Sequence, residues 1–397
     1  MKILYLANLI PYPLDGGGKI FTYSTIQALS ESNEVDLLCF YEHENIEEGK
    51  RTLSKFCKYI KALPIRVTTR ENKALMVKKA LKSVFSKYPL AIEKYSSKEM
   101  HSEIERLLTN NSYDCVFVNL LAMCLYYNYI RKFKPNIRVI LYEQNCEALI
   151  YKRLYEQESN FAKKCFIGME YKKLYRFEQE TIQKVDRVIV LSKEDQKNLN
   201  VKAASIIPIG VQPQKYHKIY DLQKHEKIRM LFVGTMTWAP NSEGIIWFLK
   251  KVMPMCRDAT KYDLTIVGKN PSQEVTDLAK EYSNVHVLGY VDDLEEVYEN
   301  ADVLIVPLFV GSGQRVKIIE AFARGYGVIS TTIGAEGLDY IKEKTIEIAD
   351  TPDEFKQSID KCRDHAFLNM IGSGGKKVFD SMYSTEIIAK KLNDTIH

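Results

Sequence analysis

The sequence predicts an α/β protein built from two doubly wound parallel sheets, and three observations lead there. Ten apolar runs rich in Val, Ile and Leu alternate with helical patterns, and they fall into two series of five. Parallel strands are buried on both faces and need such continuous apolar runs, with helices between them. At 397 residues the chain exceeds what one core usually supports, which favours two domains. Glycines and polar residues gather directly after several runs, where open parallel sheets bind their ligands.

The first series comprises residues 2–8, 34–40, 114–119, 138–143 and 186–192. The second comprises 229–235, 262–268, 284–289, 302–308 and 327–332. The seam is expected in "IIPIGVQPQKYHKIYDLQKHEK", where two prolines precede a polar, unpatterned stretch. This sets an N-terminal domain over 1–208 and a C-terminal domain over 209–380, hinged near 208–220.

Composition excludes several classes. The chain is 46% apolar and 27% charged, as soluble globular proteins are. No apolar run reaches the ~20 residues that span a bilayer. The opening "MKILYLANLIPYPLDGGG" is broken by Asn8, Pro11 and Pro13 and lacks a small-residue cleavage site, so it reads as a buried strand and not a signal peptide. The eight cysteines are scattered without Cys-x-x-Cys spacing, which points to reduced cytosolic thiols. None of the seven histidines forms a ligand-like pair, and no metal is expected. The net charge of +5 is modest, but residues 50–98 hold fourteen Lys and Arg against Glu71 and Glu93. One surface of the N-terminal half is therefore expected to be strongly basic.

The chemistry concentrates in "FVGSGQRVKIIEAFARG", 309–325, directly after a strand. A helix expected to start near Gly313 would point free N–H groups and a positive dipole end at the Ser312–Gly313 turn. Arg315 and Lys317 put cations in that first turn, where they are unfavourable unless an anion sits there. Glu320, one turn on from Lys317, can accept hydrogen bonds from a vicinal diol such as a ribose. The plainer alternative is a glycine-started helix with a surface Lys–Glu pair.

Three further loops matter. "PYPLDGGGKI" places Gly16, Gly17 and Gly18 after the first strand, where a backbone can approach a phosphate. It is neither a Walker loop nor a dinucleotide fingerprint, because Pro13, Ile20 and Phe21 occupy the required positions. In "VGTMTWAPNSEGIIWF", Gly234 and Thr235 end a strand, Asn241 or Ser242 can cap the next helix, and Trp247, Phe248 and Val252 read as core. In "ILYEQNCEALIYKRL", Glu143, Asn145 and Glu147 cluster at a strand end, where they can orient or deprotonate a hydroxyl or simply cap a helix.

Together "FVGTMTWAPNSEGIIWF", "LGYVDDLEEVYENADVLIVPL" and "GSGQRVKIIEAFARGYGVISTTIGAEGL" resemble the group 1 (GT4-like) nucleotide-sugar glycosyltransferases of bacterial polysaccharide or exopolysaccharide type. The resemblance runs along the whole chain and implies the GT-B fold, two Rossmann-like domains facing a cleft. It implies an acceptor-binding N-terminal domain, a nucleotide-sugar-binding C-terminal domain, and a final helix within 381–397 packing back on the first. It places the donor base against Gly289, Tyr290 and Val291, and the diphosphate against Arg315, Lys317, Gly16, Gly17 and Gly18. Glu320 matches the second glutamate of the family's Glu-x7-Glu motif, which holds the ribose, whereas Ser312 stands in the place of the first. Asn119 stands where many relatives carry a histidine near the sugar, and "GTMTWAPN" where they carry an Arg/Lys pair.

The expected activity is metal-independent, retaining transfer from a UDP-, GDP- or dTDP-sugar to a glycan or lipid-linked acceptor. Arg315 and Lys317 would stabilise the leaving group, with Glu143, Asn119 and Asn145 on the acceptor side. The rival readings are a non-catalytic nucleotide-sugar-binding subunit and a nucleotide-sugar epimerase or a phosphorylase on the same fold. The setting would be cytoplasmic, peripheral on the inner face of the cell membrane. Segment 72–95 alternates lysines with Leu75, Met76, Ala80, Val84 and Phe85 at helical spacing; an anionic membrane surface, or a helix packed on its own sheet with a solvated lysine face, fits it better than nucleic acid.

Overall fold

A computed structural model describes the chain except at residues 15, 43–44, 67–82, 214–216, 219, 221–226 and 292. It divides into two units. The first comprises Met1–Pro208 with Ile388–His397, and the second Ile209–Ile387.

The first unit contains a seven-stranded sheet in the order β3-β2-β1-β4-β5-β6-β7. Its strands are β1 Lys2–Ala7, β2 Glu34–Tyr41, β3 Cys57–Pro64, β4 Cys115–Asn119, β5 Arg138–Tyr142, β6 Arg187–Val190 and β7 Ser205–Ile206. Every pairing is parallel. All five predicted runs become strands. The two extra strands lie at the edges. β3, "CKYIKALP", carries two lysines and ends in proline, which suits an edge with one solvated face and hides it from a search for apolar runs. The two residues of β7 are too short to leave a pattern.

The C-terminal helix Thr385–Ile396 buries Ile388, Ala389, Leu392 and Ile396. Its Asn393 amide donates to the Ala28 carbonyl at 3.1 Å, and Asn33 donates to the Asn393 Oδ1 at 2.6 Å. Among the described residues no helix is long and apolar enough to cross a membrane.

The second unit repeats the plan with six strands in the order β10-β9-β8-β11-β12-β13, again all parallel. These are β8 Ile228–Val233, β9 Tyr262–Val267, β10 Val285–Gly289, β11 Val303–Val306, β12 Gly327–Ser330 and β13 Glu347–Ile348. Phe248, Val252 and the half-buried Trp247 pack in its core, as their spacing predicted. In both sheets the strand order reverses beside the first strand, between β1 and β4 and between β8 and β11. Neighbouring crossovers there leave to opposite faces, so a crevice opens at the carboxyl ends of those strands.

Candidate functional site

In the second unit the loops after β8 and β11 flank the reversal point. Gly234 follows β8, and its amide donates to the Val267 carbonyl at 2.9 Å. A Cβ at Gly234 would lie 2.7 Å from the Asn241 side-chain nitrogen and 2.8 Å from the Lys317 ammonium, so glycine is what lets both side chains reach the strand end. Asn241 is buried in the first turn of the helix Ala239–Lys251. It does not cap that helix, because Trp238 holds the cap position with no side-chain cap bond. Instead the Asn241 amide donates to the Thr235 carbonyl at 3.0 Å, and its Oδ1 accepts from Lys317 Nζ at 2.9 Å. The sequence offered Asn241 only as a cap; its bond to Lys317 needs the fold.

The helix after β11 begins at Val316, later than its Gly-Ser-Gly turn suggested, and runs to Ala323. Gly311 and Gly313 take φ values of +138° and +76°, which extend the irregular backbone and delay the helix. Arg315 is the N-cap residue, and its carbonyl accepts from the Ile318 amide at 2.9 Å. Its buried guanidinium folds back on its own loop, donating to the carbonyls of Ser312 at 2.5 Å and Gly313 at 2.8 Å. It lies 5.7 Å from the Trp238 ring centre. A Cβ at Gly311 would come within 2.6 Å of it. The Arg315 side chain therefore shapes this loop from within.

Lys317, one residue into the helix, is half-buried, with its ammonium 4.9 Å above the Phe232 ring. The protein packed around it, and then the Arg315 charge, push its pKa down to about 7, against a partial pull upward from Glu320. A lysine so poised gains most from an incoming anion. Burial raises the Glu320 carboxyl, while Arg324 and Lys317 oppose that rise. Arg324 is held between the Glu320 carbonyl and the Glu295 carboxylate.

Gly289, at φ +70°, ends β10, and its carbonyl accepts from the Gly268 amide at 2.8 Å. Tyr290 beyond it is 51% exposed with Lys269 5.6 Å from its ring centre, and Val291 is half-buried. The fold thus gathers Gly234, Thr235, Ser312, Gly313, Arg315 and Lys317 at the reversal point, with Glu320 one turn along the helix. Gly289 to Val291 lie at the neighbouring strand end.

In the first unit, Gly16 caps the helix Gly17–Ser30, so Gly17 and Gly18 already belong to its first turn and not to a loop. Their amides, like those of any first turn, have no partner within the helix. Asn119, fully buried at the end of β4, donates to Thr22 Oγ at 2.6 Å and accepts from the Gln144 amide at 2.8 Å. Thr22 in turn donates to the Gly18 carbonyl at 2.8 Å. This chain, Gln144–Asn119–Thr22–Gly18, ties the glycine helix start to β4 and β5. Neither Thr22 nor Gln144 carried a sequence signal.

Glu143 follows β5 with 2% of its surface exposed, and neither carboxylate oxygen has a hydrogen-bond partner among the described residues. Burial and then the neighbouring Glu178 and Glu147 hold its pKa well above the usual carboxylate range. Glu178, which accepts from the Ala148 amide at 3.2 Å, is itself pushed up to about 8 by burial. Asn145 hydrogen-bonds Glu147 and does not cap the following helix, whose cap residue is Cys146. Because the folded chain holds the Glu143 proton more tightly than the unfolded chain, this group costs stability as pH rises above the unfolded carboxylate pKa. Glu143→Gln is expected to fold normally and to flatten the fall of melting temperature between about pH 5 and 8. An unchanged slope in thermal melts across that range would contradict a buried, protonated Glu143. Among the described residues no group of His, Cys, Asp and Glu could hold a metal ion.

Several solved structures share the fold of the whole chain. The Anabaena HepE structure in complex with UDP and glucose aligns with a TM-score of 0.68 at 13% identity, covering 100% of this chain and 99% of that one. A variant of S. aureus TarM in complex with fondaparinux, α-GlcNAc-glycerol and UDP aligns with a TM-score of 0.66 at 14% identity, covering 99% of each chain. Residues 227–365, which contain the glycine and lysine constellation just described, match the family "Glycosyl transferases group 1". The similarity is to group 1 glycosyltransferases over that segment, and the chain as a whole has the GT-B fold. The chain is also 26% identical over 348 residues to a 44.6 kDa protein in the cps region of Klebsiella pneumoniae, covering 85% of this chain and 84% of that protein.

Proposed function

We propose that this chain is a group 1 glycosyltransferase that moves a hexose-type sugar from a UDP-, GDP- or dTDP-sugar to a hydroxyl of a growing, lipid-linked glycan. Anomeric configuration is retained and no metal is required. The observation that carries the proposal is the arrangement at the β8/β11 reversal point: a helix start, a glycine-bared strand end and a lysine with a depressed pKa. The UDP named with HepE puts UDP-sugars first among donors, and the cps-region relative favours cell-surface polysaccharide as the product. Work at the inner face of the cell membrane follows from a lipid-linked acceptor; of segment 72–95, proposed to dock there, residues 72–82 lie outside the described residues.

In the transfer, the bond from the anomeric carbon to the diphosphate oxygen breaks and the nucleoside diphosphate leaves with the electron pair. The acceptor oxygen bonds the same carbon and passes its proton to the departing diphosphate oxygen. Lys317 and the first amides of its helix meet the departing charge, where preorganised donors contribute most. The Arg315 guanidinium keeps the loop carbonyls of Ser312 and Gly313 turned away from that charge. Gly16 to Gly18 offer a second helix start to the diphosphate, Glu320 holds the ribose diol, and the base lies along Gly289 to Val291. Glu143, Asn119 and Asn145 serve the acceptor.

Thermal shift with UDP, GDP and dTDP tests the donor, since a ligand at 100 times its dissociation constant stabilises by about 2.7 kcal/mol. No shift with any nucleotide would sink the proposal. A shift without nucleotide-sugar turnover on any glycan acceptor would mark a binding subunit, and EDTA should leave turnover unchanged. Glu320→Ala should weaken UDP about tenfold, the loss of one charge-assisted contact. The same variant should bind UDP and 2′-deoxy-UDP alike; a preserved preference for the diol would move the ribose site elsewhere.

A further inference from the structure

The first unit carries a groove unrelated to the strand ends. It opens on the hairpin of helices Glu147–Gln157 and Phe161–Lys184, with a volume of about 660 Å³. Tyr155 lies across Gly168, where a Cβ would come within 2.9 Å of the ring, so the missing side chain seats the aromatic floor. Met169 and Tyr171 continue that floor. Five cations line the groove, namely Lys87, Lys164, Lys172, Lys173 and Arg176, and no carboxylate does. Only Lys173 has an acidic partner among the described residues, the buried Glu170 at 3.8 Å. Glu170 also accepts from Ser83 and from the Leu90 amide, fixing the 83–90 segment against the long helix. The adjacent Phe85 is 92% exposed, and Phe161 at the helix start is 81% exposed.

A soluble polyanion would use the cations and leave the two phenylalanines in water. Solvated lysines alone would not call for them either. Exposed aromatic residues beside cations of which four have no acidic partner among the described residues, over an apolar floor, match the interfacial zone of a bilayer, where rings enter the acyl boundary and cations meet headgroup phosphates. We propose that this hairpin groove, rimmed by Phe85 and Phe161, docks the chain on a bilayer containing anionic lipid. The proposal rests on the reading that the chain works at a membrane surface, and its test is separate from donor chemistry.

The full chain is co-sedimented with phosphatidylcholine vesicles with and without phosphatidylglycerol. Binding is expected only with phosphatidylglycerol and should weaken with salt. Lys164→Glu/Lys172→Glu/Arg176→Glu should reduce it more than about tenfold. Phe85→Ser/Phe161→Ser should reduce it several-fold and remove the part that survives high salt. All substituted positions except half-buried Lys164 are exposed, so circular dichroism and thermal melting should match the parent. Absent binding to anionic vesicles, or equal binding by parent and variants, overturns the proposal. Heparin retention that the charge variant loses and the phenylalanine variant keeps, without vesicle binding, overturns it in favour of a soluble polyanion. UDP binding, assigned above to residues that none of these substitutions changes, should be unaltered in every variant, so loss of docking leaves the donor reading standing.

Discussion

Lys317→Ala should cut turnover at subsaturating donor by about 10- to 150-fold, the kinetic equivalent of one charge-assisted contact of roughly 1.5–3 kcal/mol. The fold should not suffer, because the side chain is held by a single bond to Asn241 and its surroundings disfavour the charge. The sign of the pH effect follows from the pKa of about 7. Below the usual lysine range, the folded chain binds fewer protons than the unfolded chain between that value and the unfolded one. Stability from this group therefore rises with pH across that window. An arriving diphosphate reverses the preference and favours the ammonium. At about pH 8 nucleotide binding should take up nearly one proton, and affinity should fall as pH climbs above 7. Calorimetry in buffers of different ionisation enthalpy measures the uptake directly, and Lys317→Met should abolish it. Unchanged turnover in Lys317→Ala, or binding without proton uptake, would remove Lys317 from the donor site.

Gly268→Ala should be among the most damaging single methyls in the second unit. A Cβ there would lie 1.9 Å from the Gly234 carbonyl oxygen and 2.9 Å from its carbon, both backbone atoms that no rotamer change can clear. Two strand ends would have to separate. Overpacking of this kind costs about 3 kcal/mol or more, which lowers the melting temperature by about 5–10 °C in a domain of this size. The displaced Gly234 carries Asn241 and Lys317 with it, so donor affinity should fall along with stability. Gly289→Ala is the matched control: its added Cβ meets nothing within 4 Å, and its cost comes only from the positive φ. A Gly268→Ala variant that melts with the parent would show that the strand ends can part without cost.

The sequence alone determined the class and repetition of the fold, because a strand buried on both faces must be apolar along its whole length. All ten apolar runs became parallel strands for that reason. The polar edge strand β3 and the two-residue strands β7 and β13 escaped, since an edge needs no such run and two residues hold no pattern. The placement of these glycines and cations after strand ends was legible too, for they directly follow apolar runs in the sequence. What each side chain does there was decided by the tertiary structure. Arg315 and Lys317 look equivalent in "GQRVKII", yet two left-handed glycines turn the guanidinium into its own loop while the helix carries the ammonium to Asn241, 76 residues away in the chain. Asn119 and Glu143 both read as polar strand ends. One is satisfied by Thr22 and Gln144, whereas the other is buried beside carboxylates, and burial and then those charges raise its pKa against a weaker pull down from the Leu121 backbone. Local spacing fixes what a segment can form, but burial and the partner brought from a distant segment fix protonation and orientation, and only the folded chain supplies those.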